Sequence, residues 1–324
     1  MKHLIIDTTN ILWRVAAARG KYHTGGTPEE QAGLALHMSL QVFNKLYKTH
    51  APDRIAVTFE GARNWRKEYT RSSECLSGRV YKANRVRDDS MAHIFELIRS
   101  FENLVKNHTS LICLSNPILE GDDLFAGYVQ RYTAVGDTVI GVSGDKDFVQ
   151  LLKHPNFTLI NPDTYRPRQL EDVCGSRSAD FFMFEKAMRG DRGDNVFPAL
   201  PRVQKKRLLR CMSDDYELTQ LMNETWNFTD PETGRQQEFS VRQLFEENNL
   251  LMNLECQPAH IRQAIDETID SAIKECGKFS FFHFSKFCGQ HGLKQVIDNA
   301  QQFANMFSVS ARSAAPARRS ALEF

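Results

Sequence analysis

Short, nearly unbroken apolar runs alternate with longer amphipathic stretches through the first half of the chain, and this alternation limits what it can fold into. "HLIID" (3–7), "RIAVTF" (54–59), "SLICLS" (110–115), "DTVIGVSGD" (137–145) and "FTLINP" (157–162) are brief and β-branched. Such runs suit strands buried on both faces. Between them, "EEQAGLALHMSLQVFNKLYKTH" and "MAHIFELIRSFENLVKNH" space their apolar residues as helices do. The pattern predicts an α/β fold with a mostly parallel sheet and helices on both faces. From about residue 180 the strand pattern fades. The expected organisation is a core over 1–180, a largely helical region over 181–307, and a tail over 308–324. That tail, "SVSARSAAPARRSALEF", is small, basic and Pro-containing, and is expected to be disordered.

Composition excludes some classes. With 324 residues and 41% apolar side chains, the chain can bury a sizeable core. Lys plus Arg is 41 and Asp plus Glu is 40, so the net charge names no partner. Seven cysteines lie far apart without a Cys-x-x-Cys pair, which fits neither zinc nor a disulfide framework. A reducing, cytoplasmic setting is expected, in the host cytoplasm if the protein is viral. The N-terminal apolar run is too short for a signal peptide, and no stretch reaches membrane-spanning length.

Carboxylates gather where the expected strands end. Asp7 closes the first and Glu60 the second. Glu120, Asp122 and Asp123 follow the third, in "LEGDDLFAGY". Asp145 and Asp147 close the fourth, in "SGDKDF", while Asp191 and Asp194 lie together in "RGDRGDN". In parallel sheets the carboxyl ends of strands share one edge, where ligands bind. Any one of these acids could cap a helix or hold a turn. Every expected strand but the last ending in an acid is harder to explain that way, because crowded like charges repel. Divalent cations relieve the repulsion. An all-oxygen donor set points to Mg²⁺ or Mn²⁺ rather than Zn²⁺. Two such ions about 4 Å apart clamp the attacking and leaving oxygens of a phosphodiester.

A basic loop, about 61–90, follows Glu60: "GARNWRKEYTRSSECLSGRVYKANRVR". Arg63, Arg66, Lys67, Arg79 and their neighbours, interleaved with Trp65, Tyr69 and Tyr81, suit a nucleic-acid strand. A solvated helical face is the plainer reading. Lys82 or Arg85 could reach a scissile phosphate and stabilise its developing charge.

Six motifs in order resemble the flap endonuclease, or 5′-nuclease, family, most closely its bacteriophage ribonuclease H branch. They are "IIDTTNILWR", "VTFE", "YKANR", "LEGDDLFAGY", "SGDKDFVQLL" and "GDRGDN", and they span roughly residues 1–215. The resemblance implies a PIN-like nuclease core and a helix–three-turn–helix-like element in the helical region. It implies one metal held by Asp7, Glu60, Glu120 and Asp122, and a second involving Asp145, Asp147, Asp191 and Asp194, with Asp123 shared or behind them. Lys82 and Arg85 would act on the scissile phosphate, Tyr81 would stack on a base, and Arg202, Lys205 and Lys206 would contact duplex phosphates. Two departures stand out. Glu60 replaces the family's usual Asp, and "VFPALPRVQKKR" replaces a Gly-rich stretch after Asn195, which puts a monovalent ion there in doubt.

The activity so implied is a Mg²⁺-dependent 5′→3′ exonuclease and flap endonuclease, with Mn²⁺ able to substitute. Its substrates would be DNA with 5′ flaps or ends and RNA–DNA hybrids, and it would remove primers or flaps during DNA replication. A sliding clamp or single-strand-binding protein would be a partner through the tail, which ends in Leu322, Glu323 and Phe324. Two alternatives remain: a structure-specific DNA-binding protein with degraded catalysis, and a PIN-type ribonuclease.

Overall fold

All five expected strands form, and all run parallel. They are β1 (Lys2–Asp7), β2 (Arg54–Thr58), β3 (Ile112–Leu114), β4 (Thr138–Val142) and β5 (Phe157–Ile160), in the order β3-β2-β1-β4-β5. The computed structural model describes residues 1–20, 27–85, 92–175, 178–229, 234 and 236–309. The chain builds outward from β1 to β3, then returns to the other side of β1 to add β4 and β5. The strand order therefore reverses between β1 and β4, and a crevice opens there beyond the strands' carboxyl ends.

The connections are helical. α1 (Thr8–Gly20) and α2 (Pro28–His50) follow β1, α3 (Trp65–Arg71) and α4 (Ala92–His108) follow β2, and α5 (Gly121–Ala134) follows β3. A 3₁₀ segment, Asp147–Lys153, joins β4 to β5. After β5 come α6 (Leu170–Cys174), α7 (Ala179–Arg189), α8 (Lys205–Cys211) and α9 (Asp215–Met222). An antiparallel hairpin of β6 (Thr225–Thr229) and β7 (Gln236–Ser240) leads into α10 (Val241–Met252). Four helices close the chain: α11 (Ala259–Lys274), α12 (Phe281–Gln290), α13 (Lys294–Asp298) and α14 (Ala300–Phe307).

Local chemistry explains where elements start and stop. Thr27 caps α2 in a reciprocal pair with Glu30, Pro28 takes the first turn, and Ala51 ends the helix in a left-handed conformation. Successive β1 side chains pack into opposite layers, Leu4 and Ile6 into one and Ile5 into the other. That two-sided burial is why the strands read as unbroken apolar runs.

The C-terminal half divides differently from the expected single helical unit at 181–307. Residues from α7 to α10 form a lobe with its own core, including Phe181, Phe184, Met188, Phe197, Leu221 and Phe239. The chain then returns to the sheet. Phe284, Phe287, Phe303 and Phe307 join Phe101 of α4 on one face, while Ile261, Ile265 and Ile269 of α11 pack with α5 on the other. The core thus takes material from both ends of the sequence. An amphipathic helix announces that one face is buried, not what covers it. The β6–β7 hairpin interrupts this largely helical region; its "TWNFT" strand alternates partly buried Trp226 and Phe228 with exposed neighbours. Beyond residue 309 the expected tail lies outside the described residues, as do positions 86–90 of the basic loop. Among the described residues, no helix is long and apolar enough to cross a membrane.

Candidate active site

The crevice at the β1/β4 switch point gathers the strand-end acids. Asp7 is buried; it accepts hydrogen bonds from Ser143 Oγ at 2.6 Å and from the Asn10 amide at 3.3 Å. Burial pushes its carboxyl up to about 7 against the help of those two donors, and the Asp145 charge adds to the rise. Glu60 accepts from the Gly121 amide at 3.2 Å. Desolvation within the crevice, then the Glu120 charge, pushes it up to about 7 as well, although its side chain still reaches solvent. Asp122 is raised well above the carboxylate range, first by burial, then by Asp145, Asp7 and Glu60. No hydrogen bond reaches its carboxylate among the described residues. The Asp145 carboxylate accepts from the Asp147 amide at 2.8 Å.

Two cations stand on either side of Glu120. Lys82 donates to Oε1, and Arg66 donates to Oε2 at 2.8 Å. Burial works against the Lys82 ammonium, but the charges of Glu120, Asp194, Asp122 and Glu60 outweigh it and raise its pKa. The segment carrying Lys82 is clamped to the 191–195 turn. The Lys82 amide donates to the Asp194 carbonyl at 2.8 Å, Asn84 to the Arg192 carbonyl at 2.7 Å, and Asn195 to the Val80 carbonyl at 2.9 Å. Lys82 itself has φ of 56°, a left-handed conformation that the clamp must sustain.

A second group of acids sits beside α7. Lys186 pairs with Asp147 and, at 3.2 Å, with Asp191. Asp147 is raised by burial despite the ammonium; at Asp191 burial is outweighed by Lys186, and the carboxyl is lowered. Asp194 accepts from Tyr81 Oη at 3.0 Å and pairs with Arg85. Among the described residues no three His, Cys, Asp or Glu side chains converge as a finished metal site. The ammonium groups of Lys82 and Lys186 stand between the acids instead. The donor set still fits a hard divalent cation: all its ligands are oxygens, four carboxyls are raised by burial and crowding, and Asp122 has no hydrogen-bond donor among the described residues.

Not every expected site residue lies in the crevice. Asp123 is buried with both oxygens occupied, by Arg66, Trp65 Nε1 at 3.0 Å and Gln257 at 3.3 Å. It also accepts from the Glu120 amide at 3.2 Å, so it performs the capping job and lies behind Glu120 instead of sharing a metal in the crevice. Arg66 is 1% exposed and reaches no phosphate. Tyr81 is buried too, and presents no ring face for a base to stack on. Arg63, Arg79, Arg202 and Lys206 are exposed, and Lys67 and Lys205 partly so. Arg63 pairs with Glu68, and Arg79 lies over the Phe197 ring at 4.5 Å. Sequence reasoning missed Ser143, Asn10 and Lys186. The first two stand in the quoted "GVSGD" and "DTTN" stretches; Lys186 lay five residues before Asp191, in "EKAMRGD", with nothing to separate it from other surface lysines.

Residues 2–175 match the family model described as 5′-3′ exonuclease, N-terminal resolvase-like domain. The chain is 26% identical over 159 residues to ribonuclease H of Enterobacteria phage T4, covering 47% of this chain and 48% of that protein. It is 29% identical over 177 residues to DNA polymerase I of Rhizobium leguminosarum, covering 53% of this chain and 16% of the polymerase. With flap endonuclease Xni of Shewanella sediminis the identity is 24% over 212 residues, 64% of this chain and 75% of that one. The chain therefore spans half or less of the first two relatives. A bacteriophage T5 flap endonuclease crystallised with DNA and metal ions superposes with a TM-score of 0.59 at 17% identity, over 85% of this chain and 99% of that one. That likeness is one of fold. The family match is one of sequence, and since it runs from β1 through α6, across the whole parallel sheet and all four strand ends that bear acids, the chain belongs to the 5′-3′ exonuclease family.

Proposed function

We propose that the protein hydrolyses phosphodiesters at 5′ ends and 5′ flaps of DNA and in RNA–DNA hybrids, with two divalent cations, Mg²⁺ or Mn²⁺. The observation that carries this reading is the Asp122 carboxylate, crowded by Asp7, Glu60 and Asp145 and without a hydrogen-bond donor among the described residues, on the crevice shared with Lys82. Asp7, Glu60, Glu120, Asp122 and Asp145 would hold the metals. Asp147 and Asp191 would join once Lys186 moves aside, and Asp194 once Tyr81 and Arg85 do. Bound there, the cations would supply Lewis-acid activation of water and of the phosphodiester.

The chain's own groups do the rest. Glu60 and Glu120 draw Lys82 into the crevice, where its ammonium would face the scissile phosphate and stabilise added negative charge. Arg85, 59% exposed at its side chain, would reach the same phosphate from the arch side. Arg63, Lys67, Arg79, Arg202, Lys205 and Lys206 would hold the nucleic-acid backbone by charge. The relatives named for flap endonuclease and ribonuclease H activity support a role in removing flaps or primers during replication, in the cytoplasm. A sliding clamp or single-strand-binding protein would be the partner.

A labelled 5′-flap duplex and an RNA–DNA hybrid, each incubated with Mg²⁺ and then with EDTA, test the reading. Cleavage of the flap with Mg²⁺ and none with EDTA is the expected result. Tight flap binding without cleavage would leave a DNA-binding protein, and cleavage of structured RNA alone would leave a ribonuclease.

A further inference from the structure

Among the described residues, the largest fully buried side chain is an arginine. Arg66 lies on α3, at the base of the basic arch, and every one of its nitrogens is engaged. Nε donates to the Leu251 carbonyl at 2.7 Å, at the end of α10. Nη1 donates to Glu120 Oε2 at 2.8 Å and to Asp123 Oδ2 at 2.9 Å, and Nη2 donates to Asp123 Oδ1 at 2.7 Å. One guanidinium is thus shared by two carboxylates. Asp123 is fixed in turn by Trp65 and Gln257. Glu120 is left with a single oxygen, Oε1, facing the crevice, and Lys82 occupies it.

We propose that Arg66 is a positioning residue for the active site: it pins Glu120 through Oε2, so that Oε1 is presented to the crevice in one fixed orientation. The inference rests on the metal-dependent reading of the crevice. Placement matters because a buried ion pair offsets its desolvation cost only when the geometry is good and every partner is hydrogen-bonded. Here all are satisfied, and the fork-shaped guanidinium fixes two acids at once in a way that an ammonium cannot. Arg66 also ties three elements together: the arch through α3, the acids through α5 and the lobe through α10.

Charge and positioning make opposite predictions for metal affinity. Removing a positive charge next to Glu120 would by itself tighten cation binding. Losing the orientation of Glu120 would weaken it, by 10- to 100-fold for groups that orient metal ligands. Mn²⁺ is titrated calorimetrically, without nucleic acid, into wild type, Arg66→Gln and Arg66→Lys. Positioning requires at least tenfold weaker Mn²⁺ binding by both variants, with no rescue by lysine. It also requires affinity for a 5′-flap duplex in EDTA within twofold of wild type. Tighter binding by Arg66→Gln with wild-type binding by Arg66→Lys would reduce the residue to a neutralising charge and overturn the proposal. Lost flap affinity in EDTA would make it a phosphate contact and overturn it too. If circular dichroism shows both variants unfolded, Trp65→Phe decides, because it removes one hydrogen bond to Asp123 and keeps an aromatic ring. Severalfold weaker Mn²⁺ binding supports positioning, and unchanged binding overturns it. Wild type that takes up no Mn²⁺ overturns the metal reading itself, whereas wild-type uptake with unchanged variants counts against Arg66 alone.

Discussion

Asp122 is the residue whose chemistry is least compensated. A partly buried carboxylate crowded by Asp7, Glu60 and Asp145 destabilises the metal-free fold, because desolvation and those charges both oppose its ionisation. Asp122→Asn is therefore expected to stabilise the protein in EDTA by about 1–2 kcal/mol, read as a higher melting temperature, while abolishing cleavage. A lower melting temperature would show that Asp122 makes favourable contacts that the structure does not contain. Lys82 has the opposite balance, being surrounded by acids and held at a φ of 56°. Lys82→Ala should reduce the single-turnover rate by about 10²-fold, the scale for losing one group aimed at developing charge. Flap affinity should change far less; an unchanged rate would make Lys82 a steering charge only. At this scale the acids were legible and their partners were not. Glu60, Asp122 and Asp145 stand out because acids at strand ends conflict with burial. Arg66 and Lys186 do not, since a buried cation and a solvated one are the same letter.

At the scale of elements, α5 presents Glu120 and Asp122, so its seat on the sheet sets the site's geometry. Gly127 makes that seat possible: a Cβ there would lie 2.3 Å from Ile265 Cγ2 of α11. Gly127→Ala should push α5 from α11, destabilise by about 1–3 kcal/mol and lower activity with it. Thermal melts of Gly127→Ala, Ile265→Ala and the double variant check this. Because the first variant's damage is the clash with Ile265, the double should lose less than the two losses added together. Strict additivity would mean that the two helices do not meet at this point. The helices themselves were legible, α2 and α4 nearly to their ends, because apolar spacing and caps are local signals. That α11 would lie against α5, more than a hundred residues earlier in the chain, was not, since helix packing depends on surface shape rather than period.

For the whole molecule, the consequence is that the family-matched segment does not contain a complete core. Phe284, Phe287, Phe303 and Phe307 cover one face of the sheet, and Ile261, Ile265 and Ile269 the other. At about 1.5–3 kcal/mol for each large side chain buried, their loss is comparable with or larger than a typical domain stability of about 5–15 kcal/mol. A fragment of residues 1–180 is therefore expected to show no cooperative melt by circular dichroism and to aggregate on gel filtration. A cooperative melt would show that the N-terminal half closes its own core.

The sequence by itself determined the parallel α/β core, the strand ends that carry acids, and the family. Each is written in local pattern: unbroken β-branched runs, helical spacing, and acids where burial disfavours them. Only the tertiary structure decided which acids face the crevice and which are occupied elsewhere, and it turned Asp123 and Arg66 into a buried pair behind Glu120. It also decided that α11–α14 return to the sheet instead of joining the lobe. Local pattern reports that a side chain is buried or charged; its partner is chosen by the close packing of segments far apart in the chain, where distance and desolvation decide which charge meets which.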